Sequence, residues 1–306
     1  MAIGMYLREI GRGKDGARGL SRAQAADVWG QLLDGAVSDL EVGAFCLAMR
    51  VKGETPEEMA GFLDATAPRL HTLPKGAKPV VVIPSYNGAR KIPVLTPLLA
   101  LLLARDGHPV MIHGTPTENS RVFTAEVLDF LGIAARNNLA PLAAGEVGFY
   151  PTSALSTGLQ RLLEVRRVVQ LRNSAHSLVK LMNPCAGPSL LVTSYTHPEY
   201  AHSMAATLQL VQGNALLLRG TEGEAVADAR RLPKMQGLIA GKTVFDQEAQ
   251  SGSLGSLPTL PAGIDAPGTA DYIRTVMDGA QPVPAPIARQ VTEISRLISR
   301  MEAAAA

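Results

Sequence analysis

Residues 44–61 read AFCLAMRVKGETPEEMAG, a helix end followed directly by a helix start. Thr55 is a favoured N-cap, Pro56 suits the first helical position, and two glutamates fall in the first turn. The residues before Gly53 continue an apolar pattern at helical spacing. One face of that helix consists of Leu40, Ala44, Leu47 and Ala48. The stretch therefore predicts two successive helices joined by a short turn.

The chain on the N-terminal side of this stretch is also helical in pattern. Ser21 precedes apolar residues at helical spacing, Gly35 can end that helix, and Ser38 can cap the next one. On the other side, the helix that starts at Pro56 stops before a linker rich in proline and lysine. We therefore expect a small all-helical domain over residues 1–67.

Beyond the linker, short apolar runs alternate with helical patterns. Four runs read as buried strands: VVVIP at 80–84, PVMIHG at 109–114, SLLVTSY at 189–195 and ALLLRG at 215–220. Two further helices are expected near 268–278 and 284–302. Strands that alternate with helices predict an α/β domain built on a parallel sheet.

Composition sets limits on the class of protein. Of 306 residues, 46% are hydrophobic and 18% are charged, which excludes general disorder. The longest apolar run, 94–104, contains a proline and is too short to span a bilayer, and no targeting segment is visible. We therefore expect a cytoplasmic protein without a membrane partner.

Positive charge is concentrated in two segments although the net charge is only +2. Within 1–22 the cations are Arg8, Arg12, Lys14, Arg18 and Arg22. Within 161–180 they are Arg161, Arg166, Arg167, Arg172 and Lys180. Such clusters indicate an anionic partner, or else an ordinary solvated surface.

Several stretches together resemble one enzyme family. Residues 20–65, the VVVIP and PVMIHG strands, and RNSAHSLVKLMNP at 172–184 resemble anthranilate phosphoribosyltransferases and the related nucleoside phosphorylases. The resemblance implies a small helical domain beside a large parallel-sheet α/β domain formed by 68–165 and 187–306. It implies that 166–186 packs onto the helical domain. It also implies a homodimer formed through the helical domains.

The loop after the first strand departs from this family. The enzymes carry a Gly-Thr-Gly-Gly-Asp loop whose backbone N–H groups approach a diphosphate. Here the position reads PSYNGARK at 84–91, with Gly88 as its one glycine. Pro84 removes a donor, and Tyr86 adds bulk. Tyr86 either stacks on a base or plugs the empty diphosphate site.

Three further family motifs are changed. The Asn-x-Ser-Thr motif keeps only Thr96, Ile112 replaces a phosphate-facing lysine, and the magnesium-binding acidic pair aligns with Ala225 and Val226. These losses argue against conventional phosphoribosyl transfer, and we expect no catalytic residue, no metal and no cofactor. Nearby, Glu222 and Glu224 could share an extended face and substitute for that pair, but a solvated turn after the strand is the favoured interpretation. The remnant of the substrate site comprises Ser85, Tyr86, Asn87, Gly88, Thr96, His113, Gly114, Asn173 and His176.

PSYNGARK and RNSAHSLVK also resemble a divergent branch of this fold, the YbiB-type proteins, described as nucleic-acid-binding rather than biosynthetic. That resemblance implies a basic groove for single- or double-stranded nucleic acid. The cations assigned to it are Arg8, Arg12, Lys14, Arg18, Arg90, Lys91, Arg166, Arg167, Arg172 and Lys180. No base-reading motif is present, so binding should depend on phosphate contacts, with little base preference.

Other interpretations of the same residues remain open. Arg172 resembles an anthranilate-contacting arginine of the family, but it could equally pair with a carboxylate, and His176 could be structural. A transferase of altered specificity would use the cleft for another phosphorylated substrate. A scaffold would use its basic surface to dock an acidic protein.

Overall fold

A computed structural model describes residues 3–13, 15–253 and 257–305. The chain begins with four helices: α1 (Gly4–Ile10), α2 (Arg22–Asp34), α3 (Asp39–Lys52) and α4 (Pro56–Thr66), the last followed by a 3₁₀ turn at Ala67–Arg69. Ser21, Ser38 and Thr55 each accept a hydrogen bond from the backbone N–H three residues later and form capping boxes. These caps confirm the predicted starts of α2, α3 and α4.

An aromatic cluster holds these helices together. Trp29 stacks on Phe62 with ring centroids 4.5 Å apart, and Phe45 lies 6.1 Å from Trp29. The Trp29 indole N–H donates to Thr66, so the buried ring leaves no unsatisfied donor. Gly61 lets α4 approach α2, because a Cβ there would lie 2.2 Å from the Arg22 carbonyl oxygen. The helices therefore form a tightly packed core.

Helix α3 is apolar on two faces, and only one of them is buried in the chain. Its core face consists of Val42, Phe45, Cys46 and Met49. The face predicted from sequence points outward, with Leu40 84% and Leu47 55% exposed, and Val51 extends it at 62%. The sequence pattern thus located the helix correctly, but Leu40 and Leu47, the large residues of the face it singled out, are not part of the core.

The large unit is built on a seven-stranded sheet of order β3-β2-β1-β4-β5-β6-β7. Its strands are β1 (Val80–Ser85), β2 (Val110–Gly114), β3 (Val147–Pro151), β4 (Ser189–Tyr195), β5 (Ala215–Arg219), β6 (Met235–Ile239) and β7 (Lys242–Gln247). Strands β1 to β5 pair in parallel, as predicted. Strands β6 and β7 add an antiparallel edge, so the sheet is mixed rather than wholly parallel. Sequence patterns missed β3, β6 and β7.

Helices cover both faces of this sheet. They are α5 (Thr96–Arg105), α6 (Thr124–Phe130), α7 (Thr152–Leu155), α8 (Thr157–Val169), α9 (Ser174–Leu178), α10 (Pro198–Leu210), α11 (Ala266–Met277) and α12 (Ala285–Ala305). Helices α5, α6, α11 and α12 pack together on one side. Within the described ranges, no helix is long and apolar enough to cross a membrane.

Helices α8 and α9 belong with the N-terminal helices. Arg161 on α8 donates to the Leu32 carbonyl of α2, and Gly158 allows α8 to touch the backbone of Leu33. Ser174 on α9 donates to Glu54 beside α4. The contact with the helical unit therefore starts at α8, earlier in the chain than residue 166. Helix α10 closes the junction by packing against α4.

Candidate functional site

A crevice opens where the strand order reverses, between β1 and β4. In parallel sheets, ligands bind at such a switch point, beyond the carboxyl ends of the strands. Three segments meet there: the loop after β1 at residues 86–93, the turn after β5 at 220–224, and the start of α10.

Glu224 lies at the centre of the loop after β1 and is 2% exposed. One carboxylate oxygen accepts the backbone N–H groups of Asn87 (2.7 Å) and Gly88 (2.8 Å). The other accepts the hydroxyls of Ser85 and Thr96. Four donors therefore satisfy this buried charge, as a buried carboxylate requires.

Glu222 closes the outer part of the same loop. Its carboxylate accepts backbone N–H groups from Arg90 at 2.7 Å and Lys91 at 3.1 Å. The turn that presents it is unusual, because Glu222 itself has a φ of 53°. Asn87 steadies the turn by donating its side-chain amide to the Glu222 carbonyl. The side chains of Arg90 and Lys91 remain exposed.

These two glutamates correct the expectation of a solvated turn. Their carboxylates accept the backbone N–H groups of the loop that the family resemblance assigns to a diphosphate. Ala225 and Val226, the positions that the resemblance predicts for the acidic pair, are buried and apolar. The residues present therefore do not fit a magnesium–diphosphate group.

Tyr86 plugs the interior of the site. It is 3% exposed, its hydroxyl lies 2.8 Å from His113 Nδ1, and Thr152 donates to the same hydroxyl. Burial raises the pKa of Tyr86 and lowers that of His113 to about 3, so both groups stay neutral at ordinary pH. Of the two alternatives for Tyr86, the structure favours the plug, since the ring has no surface for a base. Gly114 touches the Ser85 carbonyl and completes this packed layer.

A cleft of about 350 Å³ lies beside the plugged loop, between α3, α4, α9 and the start of α10. Its cations are Arg50, Arg172 and Lys180. The Arg172 side chain forms no hydrogen bond or ion pair with any residue the structure describes, although the charge of Glu118 acts on it from a distance. Burial lowers the pKa of Arg172, and the neighbouring charges of Arg166 and Arg121 lower it further. An arginine remains charged nonetheless, so the cleft is strongly positive.

Lys180 connects the cleft to the turn after β5, which carries Glu222 and Glu224. Its ammonium donates to the Gly223 carbonyl at 2.9 Å. Burial lowers the pKa of Lys180 to about 8, although the charge of Glu224 acts in the opposite direction. Lys180 is therefore protonated at neutral pH and begins to lose its charge in mildly alkaline solution.

Asn173 and His176 form the wall of the cleft on α9. Asn173 caps the helix and donates its side-chain amide to the Leu162 carbonyl. His176 Nδ1 lies 3.3 Å from the backbone nitrogen of Asn173 and 3.2 Å from its side-chain oxygen, so the ring is held against the cap of α9. Burial, followed by the charge of Arg172, lowers the pKa of His176 to about 3. Its Nε2 has no partner in the described part of the chain.

A second cationic group borders the cleft around Glu118. The Glu118 carboxylate contacts both Arg121 and Arg166. Burial raises the pKa of Glu118, but the two arginines outweigh it and hold this pKa below its usual value. Arg121 also donates to the Asn87 carbonyl, so the group ties α8 to the loop after β1. Sequence patterns missed Arg50 and Arg121, because isolated arginines give no signal of their own.

The other predicted cations lie outside the lining of the cleft. Those with exposed side chains are Arg8, Arg12, Arg18, Arg90, Lys91 and Arg167. Arg12 pairs with Glu9 on its own helix. Lys14 lies outside the described residues. Over 3–13, 15–253 and 257–305, no three His, Cys, Asp or Glu side chains gather to hold a metal ion.

Known proteins resemble this architecture along most of the chain. Residues 5–67 match the helical bundle domain of a glycosyl transferase family. An uncharacterised protein of Escherichia coli K12, YbiB, is 39% identical over 91% of this chain and 88% of its own length. The anthranilate phosphoribosyltransferase of Symbiobacterium thermophilum is 31% identical over 71% of this chain and 64% of its own.

Solved structures agree on the fold. Anthranilate phosphoribosyltransferase from Saccharomyces cerevisiae in complex with PRPP and Mg superposes with a TM-score of 0.70 at 14% identity, covering 97% of this chain and 88% of the other. The enzyme of the same name from Thermus thermophilus gives 0.69 at 22% identity, covering 93% and 85%. The chain therefore belongs to the anthranilate phosphoribosyltransferase-like family of glycosyl transferases. Within that family it is of the YbiB type.

Proposed function

We propose that this protein binds nucleic acid through phosphate contacts and has little preference for sequence. The supporting observation is the imbalance of charge at the cleft. Arg50, Arg172 and Lys180 line it, and Arg172 forms no ion pair within the described chain. The amides that would hold a diphosphate are already bonded to Glu222 and Glu224. A site with an excess of positive charge and a closed diphosphate loop suits a polyanion better than a magnesium-bound sugar diphosphate.

Exposed cations extend this surface beyond the cleft. Lys180 donates to the Gly223 carbonyl and the backbone N–H of Arg90 donates to Glu222, so the cleft and the loop bearing Arg90 and Lys91 contact the same turn. A nucleic-acid strand that leaves the cleft would therefore meet the positive charges of Arg90 and Lys91 within a few nucleotides. Phosphate contacts of this kind carry no sequence information.

Salt dependence tests the proposal directly. We expect an oligonucleotide to bind with a logarithmic salt slope of about −0.7 per neutralised phosphate on single strands. Charge reversal of Arg90, Lys91 and Arg172 should abolish binding. The control is Arg105→Glu, which reverses an exposed cation at the end of α5 and should leave binding intact. Tight binding to one sequence that salt does not weaken would contradict the proposal.

A transferase of altered specificity makes the opposite prediction. It requires a thermal shift with phosphoribosyl pyrophosphate that depends on magnesium. We expect no such shift, because the carboxylates of Glu222 and Glu224 hold the loop amides. An acidic protein partner, the remaining alternative, predicts capture that survives nuclease treatment.

We also propose that the protein is a cytoplasmic homodimer joined through the helical unit. The outward face of α3, with Leu40, Leu47 and Val51, is a row of large apolar side chains at helical spacing. Apolar rows of this kind mark contact surfaces. Light scattering should report a dimer for the wild type and for Phe130→Glu, an exposed control on α6, and a monomer for Leu47→Glu. A monomeric wild type at micromolar concentration would rule the dimer out.

A further inference from the structure

Four cations lie at the carboxyl edge of the sheet, outside the cleft. Arg219 is the last residue of β5, Arg230 follows the turn after β5, and Arg90 and Lys91 follow β1. Strands β1, β4 and β5 are parallel neighbours, so their carboxyl ends share one edge. All four side chains are exposed, and none of them lines the cleft. We call these four residues the basic rim.

The turn after β5 holds the basic rim together. The backbone N–H of Arg90 donates to the Glu222 carboxylate at 2.7 Å. The same carboxylate acts on Arg230 from the other side: the bond to Asp228 raises the pKa of Arg230, and the charge of Glu222 raises it further. Arg219 directly precedes the turn, and its backbone N–H bonds to the segment before β6. Cations from two distant parts of the chain therefore gather around one turn.

The basic rim keeps donors that the described part of the chain does not use. The side chains of Arg90, Lys91 and Arg219 form no hydrogen bond or ion pair with any residue in the described ranges. Arg230 bonds Asp228 through Nε and Nη2, which leaves its Nη1 group for a second anion. The rim therefore keeps an excess of positive charge that an external anion can meet.

The span of the basic rim fits the spacing of phosphates along a nucleic acid. Only β4 lies between β1 and β5 in the sheet. At ordinary strand spacing, the ends of β1 and β5 are therefore about 10 Å apart. A stacked strand carries one phosphate about every 3.4 Å, so about three phosphates cover that distance. Arginine suits such contacts, because its planar donors match two phosphate oxygens at once.

Resting on the proposed nucleic-acid binding, we infer that the basic rim is a phosphate-contact surface separate from the cleft. A nucleic-acid strand crosses the ends of β1, β4 and β5 there, with its phosphates at Arg219 and Arg230 and at the neighbouring Arg90 and Lys91. Contacts to phosphate alone carry no sequence information. Single and double strands therefore both use the rim.

Salt dependence of fluorescence anisotropy tests the rim with a labelled single strand of about 16 nucleotides. The double variant Arg219→Gln/Arg230→Gln removes two phosphate contacts, so the logarithmic salt slope should become shallower by about 1.4. Arg219→Lys/Arg230→Lys keeps both charges and should keep most of the slope.

The matched control is Arg296→Gln/Arg300→Gln, which removes two exposed arginines of α12 and the same net charge. Arg296 pairs with a glutamate as Arg230 pairs with an aspartate, so the two double variants also lose comparable ion pairs. The control should leave the slope unchanged, because α12 packs on one side of the sheet and not at its carboxyl edge.

The outcomes separate this inference from the proposed function. If the rim variant and the α12 control change the slope equally, only net charge matters and the rim is not a contact surface, whereas nucleic-acid binding still stands. If polyglutamate binds the wild type but not the rim variant, and the slope with the oligonucleotide is the same for both, the rim docks an acidic protein and the inference is overturned. If the wild type binds no nucleic acid at all, the proposed function itself fails.

Discussion

Removal of the Glu224 carboxylate is the sharpest test of the view that this side chain acts as an internal anion for the loop after β1. Its four donors come from Ser85, Asn87, Gly88 and Thr96, and the group is 2% exposed. Each hydrogen bond to a charged group contributes about 1.5–3 kcal/mol, but relaxation of the loop recovers part of that. Breaking a buried charged network typically costs about 3–5 kcal/mol, which is the loss we expect for Glu224→Ala.

Glu224→Gln should cost only about 1–2 kcal/mol. Its carbonyl oxygen can accept the two backbone N–H groups, while its amide faces the hydroxyls of Ser85 and Thr96, which can rotate to accept. The assay is urea unfolding followed by circular dichroism, with the exposed Glu248→Ala as control, expected within about 0.5 kcal/mol of wild type.

Inorganic phosphate provides a second measurement on the same variant. Glu224→Ala leaves the N–H groups of Asn87 and Gly88 without an acceptor, so phosphate should stabilise this variant more than the wild type. A loss below about 1 kcal/mol for Glu224→Ala, together with no stabilisation by phosphate, would refute the view that Glu224 acts as an internal anion.

Three further predictions concern neighbouring groups. Because burial lowers the pKa of Lys180 to about 8, nucleic-acid affinity should fall as pH rises from 7 to 9 at constant ionic strength. Lys180→Arg should remove that fall, and a wild-type affinity that does not change with pH would contradict the prediction. Glu118→Gln removes the ion pairs of Arg121 and Arg166, so the salt slope on single strands should steepen by about 1.4. Glu164→Gln on α8 is the control and should leave the slope unchanged. Equal slopes for the two variants would show that the two arginines do not reach the nucleic acid. Gly114→Ala places a Cβ 2.0 Å from the Ser85 carbonyl oxygen and should lower the free energy of unfolding in urea by about 1–3 kcal/mol. Gly43→Ala, in open space on α3, should raise it by about 0.5–1 kcal/mol. Similar effects of the two variants would contradict the close contact at Gly114.

Local signals predicted much of the fold from the sequence. Ser21, Ser38 and Thr55 act within one helical turn, so their capping could be predicted without knowledge of the rest of the chain. The strands β1 and β4 are buried along their whole length and therefore read as continuous apolar runs. Strand β7 gave no such signal, since it is a largely exposed edge strand whose residues are mostly polar.

The central feature of the site depends on distant contacts, and sequence reasoning could not reach it. Glu224 and Asn87 are 137 positions apart, and Glu222 and Arg90 are 132 apart, so nothing local marks these pairs. The losses in the family motifs indicated that the diphosphate site was impaired. They did not indicate what replaced the diphosphate. The outward face of α3 was ambiguous for another reason, because apolar residues lie on both sides of that helix.

The antiparallel edge of the sheet has a consequence for how copies of this protein can meet. Strand β7 presents Lys242 and Asp246 along its rim, and Lys234 of the adjoining segment bonds Glu248 just past its end. Charged side chains along an outermost strand discourage hydrogen bonding to the same strand of another molecule. The β6–β7 hairpin thus ends the sheet on this side, and copies of the protein should not pair through β7 even in concentrated solution.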